Sequence, residues 1–355
     1  MAAPQAPQRF DAGALQSFAQ ALLARAGMPA DKAQAIAEIL LEGDLLGHDT
    51  HGLQLLSGYL DDIASGAMSS EGEPEVVADQ GAALTWDARR LPGPWIMLRA
   101  LDAACERAQR FGIGAVAVRR SHHIAALAPY ARRVAERGML LLLMTSAPSG
   151  GSVAPYGGTR PLFSPSPIGV GFPTGTEPVL VDVSTSITTN GMTNLLAREG
   201  RKLPGPWLMD EAGRATDDPS VAVAPRQGTL LPLGGMDAGH KGYGLALTVE
   251  AFTAGLAGHG RSDPGRRFGA TLFVQVLDPR AFSGAQAFTG QMDWIAERCH
   301  ENPPLDSARP VRLPGERGLA LRRQQLAEGV RLHPRIVQAL SKWAAQLDVP
   351  LPPAL

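Results

Sequence analysis

The sequence predicts an α/β protein: a helical N-terminal part followed by a turn-rich part built on a mixed sheet. Three observations point there. Apolar residues recur at helical spacing through the first 65 residues. Strand-like and helix-like runs then alternate, but without the regular rhythm of a doubly wound parallel sheet. The 40 Gly and 29 Pro exceed average usage (roughly 7% and 5%) and concentrate in residues 146–240, where short apolar runs alternate with turns.

The elements follow in order. Residues 1–8 read as a loose tail. Asp11 can cap a helix running to about Arg25 and ending near Gly27. Pro29 and Asp31 open a second, with Ala35, Ile36, Ile39 and Leu40 on one face. A third is predicted from about Thr50 to Ala64, stopping before Gly66. Pro74–Trp86 carries strands, and Trp95–Gln109 is a helix closed by Gly112. GIGAVAVRRS is a strand, SHHIAALAPYARRVAERG a turn into a helix, and MLLLLMTSA a buried strand. IGVGFP, PVLVDVS and TLLPLGG are short strands or turns. A helix is predicted to open at Lys241–Gly242–Tyr243, RFGATLFVQVLDP is a strand, and Ser283–Cys299 is helical. VRLPGER is extended, and two short helices finish the chain.

Composition removes several function classes. Lys plus Arg (33) nearly balances Asp plus Glu (34), so nothing argues for nucleic acid or anionic membrane as a partner. No apolar run reaches the roughly 18–20 residues of a membrane span. No signal-peptide core precedes Phe10. Cys105 and Cys299 stand far apart in no CxxC spacing, as expected of thiols in a reducing cytoplasm. A cytoplasmic location is therefore expected.

Four stretches can carry chemistry. In GHDTHGLQLL (47–56), a helix from Thr50 would put His51, Leu55 and Tyr59 on one face beside the anion-favouring helix start. The same stretch also fits a plain N-cap and helix junction. His48 and His51 lack a third ligand at recognisable spacing, so no metal is expected. Ser121-His122-His123 follows a strand, and a histidine there can donate a proton, although histidines in turns are often merely solvated. Gly239–Gly244 adds Lys241 to a glycine-rich helix start, which suits a phosphate. Asp182, at a strand end, could hold a ribose or orient an imidazole. Gly112–Ala117 matches GxGxxA, but it leaves a helix and enters a strand, the reverse of the dinucleotide fingerprint.

Taken together, these stretches resemble the malate/L-lactate dehydrogenase family that lacks a Rossmann fold, whose members include ureidoglycolate and sulfolactate dehydrogenases and a Δ1-piperideine-2-carboxylate reductase. GHDSHG…Y of that family resembles Gly47–Gly52 with Tyr59. NSNHFGA resembles 120–126, VAPWGG resembles Val153–Gly158, GTNPIA resembles Ser164–Gly169, and LDMATS resembles Val181–Ser186. LLPLGG…KGYGLAL resembles Leu230–Leu247, and a late PGE matches Pro314–Glu316.

The resemblance implies the family's own α/β fold. Residues 1–115, completed by 300–355, would form the substrate-binding and dimerisation part, with an NAD(P)-binding domain inserted over 116–299. It implies a homodimer acting on a small molecule with NADH or NADPH. The proton donor falls on His123, assisted by Thr50 and His51. Tyr59 falls at the substrate. Cofactor contacts fall on Thr145, Ser146, Asp182, Val183, Ser184, Lys241, Pro314, Gly315 and Glu316.

The departures sharpen the reading. Leu55 stands where the family carries a carboxylate-binding Arg. Arg120 and His122 replace the two Asn of NSNH, and Ser164-Pro165-Ser166 replaces Gly-Thr-Asn. A bidentate Arg–carboxylate contact contributes roughly 1.5–3 kcal/mol. Arg120 or Arg160 could substitute for it, or N–H groups near Thr50–Gly52, or the substrate differs, with Leu55 favouring an apolar portion. The expectation is hydride transfer between nicotinamide and a 2-oxo/2-hydroxy acid other than simple malate or lactate. The alternatives are reduction of a cyclic imino acid and a non-catalytic cofactor-binding homologue.

Overall fold

The computed structural model describes residues 8–225, 228–263 and 269–355. Residues 1–7 of the expected tail and Arg267–Phe268 of the expected last strand lie outside the described residues. Gln8 begins a short strand, β1 (Gln8–Phe10).

Helix α1 (Ala12–Arg25) starts where Asp11 accepts the Ala14 N–H at 2.8 Å. Helix α2 (Ala30–Leu45) follows Pro29. Their apolar faces meet through Leu15, Phe18 and Leu22 against Ile36, Ile39 and Leu40 in the main core.

The expected third helix starts later than its spacing suggests. Asp49–His51 and Leu53–Leu55 are separate single turns, and α3 covers only Leu56–Ala64. The cause is local. The buried Asp44 carboxylate accepts the Leu53 N–H at 2.7 Å and holds Gly52 at ψ −143°, outside the helical region. His51 and Tyr59 therefore do not share one helical face.

Strands β2 (Glu75–Asp79) and β3 (Ala83–Asp87) lead to α4 (Gly93–Phe111), closed by Gly112 at φ 82°. Then come β4 (Ile113–Ser121), α5 (Ala128–Ala135), β5 (Leu140–Ser146), β6 (Ile168–Phe172), β7 (Val179–Val183) and α6 (Asn190–Arg198). Three two-residue strands follow, β8 (Leu208–Met209), β9 (Ala215–Thr216) and β10 (Thr229–Leu230). Helix α7 spans Gly235–Glu250, so Lys241 lies inside it and not at its start, as its Gly-rich context had implied. The chain ends with β11 (Ala270–Leu277), α8 (Ala285–His300), α9 (Glu316–Glu328), β12 (Val330–Leu332) and α10 (Pro334–Leu347).

Seven strands form one mixed sheet in the order β2-β3-β4-β11-β5-β6-β7. Only β3 and β4, joined through α4, run parallel; every other neighbour pair is antiparallel. Val274 of β11 sits opposite Val116 on one side and Leu143 on the other. The division expected at residue 115 falls inside β4, within this continuous sheet.

The main core joins the N-terminal helices, α4, α5, the sheet and the C-terminal Leu319, Ile336 and Leu340. β1 pairs with β12, tying the two ends of the described chain together. A smaller core gathers Val153, Phe163, Leu196, Leu208, Leu230 and Ala246 around the sheet β10-β8-β9.

Candidate active site

The sheet's connectivity brings five strand ends to one place. β4, β5 and β7 end there while β11 and β6 begin, as the partners Ala270–Ser121, Thr271–Ser146 and Ile168–Val183 record. A cavity of about 490 Å³ opens over these ends, within the size range of small-molecule sites. His48, Thr50, His51, His123, Thr145, Ser146, Asp182 and Ser184 all line it, so residues far apart in sequence converge there.

His123 is held from behind. Its Nδ1 lies 3.0 Å from the Tyr59 hydroxyl and accepts the Ala125 N–H at 3.2 Å. The Tyr59 hydroxyl also donates to the His123 carbonyl oxygen at 3.0 Å. With Nδ1 so engaged, Nε2 is the nitrogen that His123 presents to the cavity. Tyr59 itself is 3% exposed and lies behind His123, outside the cavity wall. His51 stacks on His123 with ring centroids 5.8 Å apart, and its Nδ1 lies 2.9 Å from the Thr50 hydroxyl. Glycine makes the approach possible: a Cβ on Gly93 would stand 2.2 Å from the His123 carbonyl oxygen, so α4 can begin directly against the 122–123 backbone.

Helix α3 grips both adjacent histidines. Tyr59 meets His123, and Asp62, less than one turn later, meets His122 Nε2 at 3.0 Å. The Tyr59 and His122 rings pack edge to face at 5.2 Å. Burial pushes His123 down to about 3, helped by the neighbouring His51 and His122. Burial likewise pushes His122 down to about 4 against the pull of Asp62, and lowers His51 against the pull of Asp182. At each of the three, burial thus favours the uncharged imidazole.

The remaining expected residues divide in two. Asp182 lines the cavity, and its Oδ2 also accepts the N–H groups of Leu127 and Ala128 at 2.8 and 3.1 Å, anchoring the start of α5 to β7. Its nearest imidazole is His48, at 3.9 Å. The Ser146 hydroxyl belongs to a buried chain with Thr271 and Thr253. Ser184 bonds the Ser186 carbonyl at 2.7 Å.

Leu55 packs against the main core, and Val183 is exposed; neither lines the cavity. Lys241 is exposed on α7, away from the wall. Pro314 accepts the Leu180 N–H at 3.0 Å, so Pro314–Gly315–Glu316 lies along the outer edge of β7. Glu316 there bonds His300 at 2.6 Å. Arg120 turns to the buried Asp87, and Arg160 is an exposed loop residue; both stand outside the cavity lining.

On the far wall, sequence reasoning noted Ser164 and Ser166 only as departures from the family pattern and missed Thr189, Asn190 and Gly191. Ser164 and Ser166 share a hydrogen bond of 2.9 Å, and Ser164 also accepts the Ala147 N–H. Thr189 caps α6, and Asn190 donates to the Ser152 hydroxyl at 3.0 Å. Gly191 brings this helix start against Thr50. The capping pattern Thr189-Asn190 just after a strand end was the available signal. Among the described residues no Arg or Lys lines the cavity, and no group of three or more His, Cys, Asp or Glu could hold a metal ion.

A family model described as malate/L-lactate dehydrogenase matches residues 10–341. The chain is 32% identical to a (2R)-3-sulfolactate dehydrogenase (NADP(+)) of Chromohalobacter salexigens, over 93% of this chain and 96% of that protein. It is 32% identical to a Δ1-pyrroline-2-carboxylate/Δ1-piperideine-2-carboxylate reductase of Pseudomonas syringae pv. tomato, over 90% and 91%. Malate dehydrogenase of Entamoeba histolytica shares the fold, with a TM-score of 0.92 and 22% identity over 98% of this chain and all of that one. The chain belongs to the malate/L-lactate dehydrogenase family.

Proposed function

We propose that the protein transfers hydride between NADH or NADPH and a 2-oxo/2-hydroxy acid other than simple malate or lactate. One observation carries this reading: the single cavity that holds His123, Thr50 and His51 also holds the hydroxyl-rich wall of Thr145, Ser146 and Ser184 with Asp182. That wall fits a nicotinamide nucleotide, because Ala125, Ala126, Ala147, Gly150 and Gly151 keep it open while hydroxyls and backbone supply uncharged hydrogen-bonding partners. When bound there, the nucleotide supplies or accepts hydride.

The chain's own groups do the rest. In the reductive direction, negative charge grows on the substrate oxygen, and His123, once it has taken up a proton with the anionic substrate bound beside it, is placed to deliver that proton from Nε2. Thr50 and His51 flank that position as hydrogen-bonding groups. The cavity walls limit water around the substrate and fix the reacting atoms. We place this activity in the cytoplasm and in a homodimer; α8, with no buried residue and with Trp294 and Ile295 exposed, supports a self-associating surface.

A second reading has its own support. Among the described residues no Arg or Lys lines the cavity, so a carboxylate there meets neither of these fixed cations. A cyclic imino acid brings its own positive charge on nitrogen and depends less on such a cation. The test is NADH and NADPH consumption over a panel of 2-oxo acids, 2-oxo amides and cyclic imino acids. Turnover confined to imino acids selects the second reading. No turnover anywhere, with nucleotide still bound, points to the non-catalytic homologue.

A further inference from the structure

The Tyr59 hydroxyl stands 3.0 Å from His123 Nδ1 and 3.0 Å from the His123 carbonyl oxygen. A phenol has one proton and two lone pairs. Pointing its proton at Nδ1, it fixes His123 as the Nε2–H tautomer. Pointing it at the carbonyl, it frees an oxygen lone pair to accept a hydrogen bond from Nδ1–H. The second arrangement also requires the Ala125 N–H, which donates to Nδ1 at 3.2 Å in the first, to turn away from the ring.

Chemistry at Nε2 needs the second arrangement. In reduction, Nε2 gives its proton to the substrate oxygen, and the ring left behind carries its remaining proton on Nδ1. In oxidation, Nε2 must begin with a lone pair, again with the proton on Nδ1. An Nε2–H tautomer with nothing on Nδ1 can neither give up its proton without becoming an anion nor accept one at Nε2. In the active arrangement the Tyr59 oxygen accepts from Nδ1–H while its own proton goes to the His123 carbonyl.

We propose that Tyr59 is a positioning residue whose rotating hydroxyl switches His123 between a resting tautomer and the form that exchanges a proton with substrate. The switch rests on the reading of His123 as the acid and base of the reaction. It explains why Tyr59 is buried behind His123 and not exposed to substrate. Other groups face the pair. His51 stacks across His123, His122 packs on the Tyr59 ring with Asp62 behind it, and Asp182 and His48 lie on the cavity wall. In the active arrangement the Tyr59 oxygen is an acceptor for Nδ1–H, so removing it disfavours the protonated ring.

The test compares Tyr59→Phe with wild type and with His123→Ala, using whichever substrate the panel turns over. Tyr59→Phe is expected to lower kcat roughly tenfold or more with KM unchanged. The alkaline limb of its reductive kcat profile is expected to move about one pH unit lower, since a tenfold change in proton affinity is one unit. Replacing Tyr59 by 3-fluorotyrosine, whose oxygen is a poorer acceptor, must move that limb the same way by less, and it covers the case in which Tyr59→Phe does not fold. A profile superimposable on wild type, or a loss confined to KM, overturns the switch. If His123→Ala keeps wild-type turnover, the assignment of His123 itself fails. If His123→Ala is inactive and Tyr59→Phe is normal, only the switch fails.

Discussion

The carboxylate of Asp44 fills the space that a side chain on Gly52 would need: a Cβ there would stand 2.3 Å from Asp44 Cγ and Oδ1. This contact ends the first turn after His51 and sets where α3 begins. Gly52→Ala is therefore expected to destabilise the fold by about 1–3 kcal/mol, the usual cost of overpacking. It should also lower kcat, because the displaced segment carries Thr50 and His51. Chemical denaturation and turnover, measured together, check both effects. An unchanged unfolding midpoint would count against the contact.

Arg120 gives a prediction of the opposite kind. Its Nε donates to Asp87 Oδ1 at 2.8 Å, and Asp87 is fully buried. Burial pushes the Asp87 carboxyl up, but bonds from Arg120, the Arg89 N–H and Arg119 bring it below the usual range. Arg120→Ala should cost about 1 kcal/mol of stability, a modest figure because the guanidinium is half exposed and screened. KM for an anionic substrate should not change. A large rise in KM would return Arg120 to the substrate.

Three departures from the family pattern share a backbone property. Arg120 (φ 54°), Ala125 (φ 63°) and Ser166 (φ 43°) are left-handed. The resembling pattern carries Asn, Gly and Asn at those positions, residues that tolerate this region better. Ala125→Gly should thus raise stability by about 0.5–1 kcal/mol, the strain relief exceeding the added freedom of the unfolded chain. Thermal unfolding reads this directly, and a destabilised variant would show that Ala125 contributes more by packing than it costs in strain.

Local signals made much of this legible. The Asp11 cap, the Gly112 stop and the alternation around β4 and β5 mark their elements without reference to the rest of the chain. The meeting of His123, Thr50, His51 and Asp182 at one cavity was legible because motif order accompanies them. Two things were not. The break at Gly52 comes from Asp44, a tertiary partner that helical periodicity does not register. Lys241, Leu55 and Arg120 looked like site residues from their neighbours in sequence, but their placement depends on which way each backbone segment turns. Arg120 in particular is claimed by Asp87, a residue on another strand.

The buried histidines give stability a pH dependence with a definite sign. Unfolded histidines bind protons near pH 6.5, whereas His122 and His123 are pushed down to about 4 and 3, and His51 is lowered too. As pH falls from about 6.5 toward 4, the unfolded chain holds more protons and stability is lost. A depression of two units corresponds to about 3 kcal/mol. Burial raises the Asp44 carboxyl, which works in the opposite sense and partly offsets this loss. The melting temperature should fall from pH 7 to pH 5, and the slope should be shallower in His122→Asn. Equal slopes would mean that His122 titrates normally in the folded protein.

β11 occupies the centre of the sheet yet is its last strand in the chain. During synthesis, β4 and β5 leave the ribosome long before the strand that must lie between them. Each then presents a bare edge of backbone donors and acceptors, an invitation to pair wrongly. The sheet closes only through contacts of large sequence separation, which are slow to form. A nascent chain halted before Ala270 would hold two half-sheets with no seam, so this protein's exposure to aggregation lasts until β11 has emerged.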